Sequence, residues 1–171
     1  CDNQKKFSME NFFWLSQLLV HTMKSIPDRL GIVLSPLDEE PTILVCSIEE
    51  SLVRDDSWIH DIQTYEEFIQ SPIAVLAEIM RKRGLSHSRI GIEMDYIVAL
   101  YYNELKRELP DIELVDVGDT FRKLRMIKTP KEIEILAYAA KSTEEAITRA
   151  FWEAQPGDRE IDVLNNMIIK T

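Results

Sequence analysis

The sequence predicts an α/β fold, a mixed β-sheet flanked by helices, and three observations carry that prediction. Two β-branched, aliphatic runs, Ile32-Val33-Leu34 and Thr42 to Cys46, flank a polar loop bounded by Pro36 and Pro41, as two antiparallel strands would. Two further apolar runs, Ile90 to Met94 and Ile112 to Val117, are short enough to be strands. Segments of helical period separate them, and short strands alternating with helices imply helices layered on a sheet.

The elements follow in order. Phe12, Phe13, Trp14, Leu15, Leu18, Leu19 and Val20 are apolar but fit neither the helical nor the strand period, so the first 30 residues read as irregular. After the strand pair, a third extended segment is expected over Trp58 to Tyr65. Ser71 is placed to cap a helix and Pro72 suits its first position, where a missing N–H costs nothing. Ile73, Leu76, Ala77 and Met80 give that helix one apolar face, and Gly84 supplies a left-handed stop. Asp95 is expected to cap the next helix, which carries Ile97, Leu100, Tyr101 and Leu105. Thr129-Pro130-Lys131-Glu132 is a capping box, and the helix it opens should run to about Ala154. Pro156-Gly157 breaks it, and Asp158 is placed to cap a last helix with Ile161, Leu164 and Ile168. That apolar face has little chain after it to pack against, which leads us to expect a truncated second domain.

Composition narrows the function classes. The chain has 171 residues and a net charge of -10, from 20 Lys plus Arg against 30 Asp plus Glu. A chain this acidic repels phosphate backbones, so nucleic acid is not an expected partner. Arg81-Lys82-Arg83 is the densest basic run, and it falls where cations complement a helix C-terminus. The longest uncharged stretch, Asn11 to Met23, holds Gln17 and His21 and is too short and polar to span a membrane, which takes about 20 apolar residues. Two cysteines without a CxxC fit a reducing compartment and the cytoplasm, with Cys46 in an apolar run as core. Cys1 has two readings: the first residue of a lipid-anchored protein, or simply where the chain starts; the second is favoured.

The segment from Leu124 to Glu134, LRMIKTPKEIE, resembles the LR-x-IK-x-P-x-EI pattern of prolidases, Xaa-Pro aminopeptidases and creatinase. Ala139-Ala140 and the Pro156-Gly157 turn followed by Glu160 match further positions of that family. Upstream, Asn11 to Ser16 is similar to its N-x-x-[YW]-L-[ST] motif, with Gln17 standing where the family carries glycine, and Ile90 to Glu93 is like its IG-[FIV]-E strand. The resemblance implies a creatinase/prolidase-like N-terminal domain over residues 1–122. It implies that residues 123–171 are the linker and first helices of a truncated pita-bread catalytic domain. It further implies two divalent metals (Mn, Co or Zn) in the complete protein, activating water against an Xaa-Pro bond. No such metal or catalytic residue is expected within this chain. His21, His60 and His87 are far apart, no HExxH occurs, and Asp55-Asp56 reads as a solvated turn.

In that family the N-terminal domain helps form a homodimer and restricts access to a neighbour's active site. Trp14, His21 and Arg29 are the substrate-binding candidates on this ground. An arginine pairs with a peptide carboxylate and a histidine hydrogen-bonds it. Against this stands the favoured reading, in which Trp14 is core, His21 an ordinary surface or cap residue and Arg29 half of a local ion pair. Phe12, Phe13, Trp14, Leu18 and Leu19 are either a subunit contact or internal core. Three functions stay open: the accessory domain of an Xaa-Pro peptidase, inert alone, which is preferred; a non-enzymatic protein-binding module on the same scaffold; and part of a creatinase-like amidinohydrolase.

Overall fold

A computed structural model describes residues 8–26 and 29–169. Cys1 lies outside them. The fold falls into two compact units that meet in sequence between Leu124 and Arg125.

The first unit opens with two helices where the sequence reads as irregular. Ser8 caps α1 (Met9–Ser16), its hydroxyl accepting the Asn11 N–H at 3.0 Å. Phe12 and Leu18 are core, whereas Phe13, Trp14 and Leu19 are exposed, so this aromatic cluster divides between inside and outside. α2 (His21–Ser25) is a single turn. Neither helix is long enough to display a clean period, which is why pattern reading fails there.

β1 (Ile32–Leu34) and β2 (Thr42–Cys46) form the expected antiparallel pair, with Val33 opposite Ile43. A helical turn at Ser47–Glu49 leads into α3 (Glu50–Asp56). Asp55 and Asp56 therefore end a helix, exposed, and are not a turn. β3 (Asp61–Tyr65) runs parallel to β2, Thr42 opposite Asp61 and Cys46 opposite Tyr65. It begins later than Trp58, whose indole donates to the Leu15 carbonyl at 3.0 Å. All five β2 residues are buried, as a strand covered on both faces demands.

α4 (Pro72–Lys82) follows its punctuation: the Ser71 hydroxyl accepts from the N–H groups of Ile73 and Ala74, and Gly84 turns away at φ 68°. Each residue of its basic end is paired: Arg81 with Glu108, Lys82 with Glu78, and Arg83 with Asp61. β4 (Arg89–Ile92) and β5 (Glu113–Asp116) are parallel and make a second sheet. The helix between them, α5 (Ala99–Glu108), starts after the uncapped Val98. Asp95 does not cap it: it is ion-paired with Arg122 of α6 (Gly118–Met126), and Ile97 precedes the helix. The helix begins one turn later than the sequence suggests, with Val98 at the N-cap position, so Asp95 lies three residues short of the capping position.

Two cores lie on opposite faces of β2. Leu44 and Cys46 face a core that also holds Leu76, Met80, Leu105 and Ile92. Ile43 and Val45 face a second one with Phe12, Leu18 and Val53. This alternation is the period of a strand.

The second unit is dominated by α7 (Pro130–Glu153), opened by the full capping box: Thr129 accepts from the Glu132 N–H, and the Glu132 carboxylate accepts from the Thr129 N–H at 2.7 Å. α8 (Glu160–Ile169) packs back on it. Asp158 does not cap α8; its carboxylate accepts the Gln155 N–H at 2.7 Å and closes the turn between the helices. Of the apolar positions on α7, Ala146 and Ala150 are buried, and Ile133, Leu136, Ile147 and Phe151 are exposed.

Candidate functional site

Arg29 sits just before β1 and is 8% exposed. Its Nε and Nη2 donate to the two oxygens of Glu67 at 3.0 and 2.5 Å, a bidentate fork. Nη1 donates to Glu49 at 3.2 Å, and the Thr22 hydroxyl bonds the same Glu49 oxygen. The hydrogen bonds to Glu67 raise the guanidinium's pKa against the opposing effect of burial, so the cation is held firmly in its charged form. The neighbouring backbone is fixed as well: the Tyr65 hydroxyl accepts the Leu30 N–H at 2.8 Å and donates to the Leu30 carbonyl at 3.1 Å. Burial pushes the Tyr65 hydroxyl up to about 12, so it remains a donor at any ordinary pH.

This network ties the turn after β3 to the body of the domain. The Glu66 carbonyl accepts from Ile69 and Gln70, and Phe68 takes a left-handed φ of 64° with its ring exposed. Arg29 thus acts on its surroundings from inside the fold.

His21 is exposed at the start of α2, and its neighbour Thr22 reaches the Arg29 network through Glu49. Trp14, 38% exposed, belongs to a different contact: its ring stands edge-on to Phe121 at 6.4 Å between centroids. The structure therefore links Arg29 to the residue beside His21 and sets Trp14 in a separate aromatic pair. Glu49 and Glu67, which complete the network, carry no local sequence signal, since their partner is chosen by the fold. Asn11 and Glu93, polar ends of two separate sequence motifs, meet through a hydrogen bond from the Asn11 amide to the Glu93 carboxylate.

The divalent metals that the family resemblance implies do not fit here. Among the described residues no three His, Cys, Asp or Glu side chains converge. His21, His60 and His87 are exposed and lie on separate segments. No helix among the described residues is long and apolar enough to cross a membrane.

Residues 6–127 match the Creatinase/Prolidase N-terminal domain. The Xaa-Pro dipeptidase of Lactobacillus helveticus is 26% identical over 134 residues, 78% of this chain and 36% of that protein. The fold superimposes on an Xaa-Pro dipeptidase from Bacillus anthracis with a TM-score of 0.69 at 21% identity, covering 94% of this chain and 41% of that one. An X-Pro aminopeptidase from Thermotoga maritima gives 0.73 at 14% identity, covering 97% and 44%. The chain spans about two-fifths of the length of the first curated relatives it matches. With the strand pair, the capped helices and the motif contacts all in place, this chain belongs to the creatinase/prolidase N-terminal domain family.

Proposed function

We propose that these residues form the accessory domain of a metal-dependent Xaa-Pro peptidase in the cytoplasm, a domain that pairs two subunits and restricts which peptides reach the active site. The family match over residues 6–127 carries this reading, and the similarity to an Xaa-Pro dipeptidase supports the substrate class. The metals and the residues that hold them belong to sequence outside these 171 residues. The exposed apolar side chains of α7 and α8 give that sequence a surface to pack on. Alone, the chain is inert. A buried, unpaired Cys46 suits a reducing compartment.

Phe13, Trp14 and Leu19 form the subunit contact in this proposal, since they are exposed while their neighbours Phe12 and Leu18 are core. Trp14 and His21 face incoming peptide, and Arg29 positions the surface from beneath through Glu49 and Glu67. The test is Trp14→Ser in the complete enzyme, with sedimentation and the ratio of kcat/KM for an Xaa-Pro dipeptide to that for a longer Xaa-Pro peptide. A folded monomer with an altered ratio supports the role. A folded dimer with an unchanged ratio contradicts it.

A further inference from the structure

Trp14 stands on α1 and Phe121 on α6, far apart in sequence, yet their rings meet. The centroids are 6.4 Å apart and the planes 78° from parallel, the T-shaped arrangement that aromatic pairs favour. Trp14 is 38% exposed, so core packing alone does not fix its rotamer. Phe121 is the ring that meets it among the described residues.

One corner of the domain sets both helices. Asn11, one turn before Trp14 on α1, donates to Glu93, which follows β4. Asp95, two residues on, pairs with Arg122, the neighbour of Phe121. Asp116 closes the corner: its Oδ1 accepts the N–H of Gly118, the first residue of α6, at 3.0 Å and that of Met94 at 3.3 Å. Gly118 permits this close approach, since a Cβ there would lie 2.7 Å from the Asp95 carboxylate. The far end of α1 is tied separately, through the Leu15 carbonyl and the Trp58 indole. The two rings therefore meet on backbones already held, and ordering the pair costs side-chain entropy alone.

We propose that Phe121 is a positioning residue for Trp14: its ring holds the indole in the orientation that faces incoming peptide. The helix that carries the chain on to the second unit thereby also sets the peptide-facing surface. This rests on the role given to Trp14 above. A held indole offers peptide a fixed face, whereas a loosened one must be ordered on binding, which weakens binding and leaves the chemical step alone.

The test has a structural arm and a kinetic arm. In residues 1–171, Overhauser contacts between the Trp14 indole and the Phe121 ring are expected in the unaltered chain. Phe121→Leu keeps the apolar bulk and removes the ring. It should move the Trp14 indole signal and leave that of Trp58, whose bond to Leu15 reports that α1 is in place. In the complete enzyme, Phe121→Leu should shift the ratio of kcat/KM for an Xaa-Pro dipeptide to that for a longer Xaa-Pro peptide. The shift should have the direction seen in Trp14→Ser, about threefold in size, and come through KM with kcat retained. Phe121→Tyr, which restores a ring, should behave as the parent, and Phe121→Leu should add nothing to Trp14→Ser. Missing Overhauser contacts, a ratio moved by Trp14→Ser but not by Phe121→Leu, a change in kcat alone, or a full further shift in the double variant would each overturn the proposal. A ratio that neither variant moves, with the ring contact present, removes the peptide-facing role of Trp14 itself, and this proposal falls with it.

Discussion

Gln17 ends α1 at φ 59°, ψ 22°, a left-handed conformation, with its N–H bonded to the Phe13 carbonyl. Glycine adopts that conformation without the clash a Cβ brings, which is why a family motif with glycine at this position is reasonable chemistry. Gln17→Gly should therefore stabilise the domain by about 1 kcal/mol, read from the urea midpoint. A drop in stability would show that the Gln17 side chain contributes more than its backbone costs. Arg29 makes the opposite case. Arg29→Ala leaves Glu49 and Glu67 facing each other without their cation, and should cost about 3 kcal/mol. A variant as stable as the parent would contradict the buried network. The sequence offers Arg29 as an ion-pair or carboxylate-binding residue. Its two partners lie 20 and 38 residues away, so only the fold reveals that one guanidinium serves both.

Elements with their own punctuation were legible: β1 and β2 around a proline-bounded loop, α4 between Ser71 and Gly84, and α7 behind its capping box. The short helices α2, α3 and α6 were not. One or two turns give too few apolar positions to define a face, and tertiary packing decides them. The parallel pairing of β2 with β3 was equally hidden, because pairing is a long-range choice. It is reinforced at its first register position, where the Thr42 hydroxyl donates to Asp61 at 2.7 Å and Arg83 pairs with the same carboxylate at 2.6 Å. Burial pushes the Asp61 pKa up, but hydrogen bonds from Thr42 and Gln63 and the Arg83 guanidinium outweigh it, and the net shift is downward. A carboxylate depressed in the folded state contributes stability that is present above its unfolded pKa of about 3.9 and is lost as pH falls through the folded value. Asp61→Asn should thus be less stable than the parent at neutral pH, with the gap narrowing on acidification below about pH 4. Urea midpoints at neutral and acid pH check this, and a gap independent of pH would contradict it.

At the scale of the molecule, a well-packed N-terminal unit is followed by a helical hairpin whose apolar side chains are largely exposed. The order and spacing of motifs from Asn11 to Glu160 made the family legible in the sequence, and two of them mark features the fold uses: the capping box at Thr129 and the strand ending at Ile92. The role of each candidate surface residue was less so: exposure separates Trp14 and His21 from Arg29, and exposure is a property of the assembled fold. The central claim is that this domain serves a metal-dependent Xaa-Pro peptidase, and hydrolysis of an Xaa-Pro dipeptide with added manganese tests it most directly. The assay compares the product of the whole reading frame with residues 1–171 alone. Metal-dependent cleavage by the first and none by the second is the result we predict. Cleavage by residues 1–171 alone, or no cleavage by a folded, metal-loaded product of the whole frame, would contradict the account.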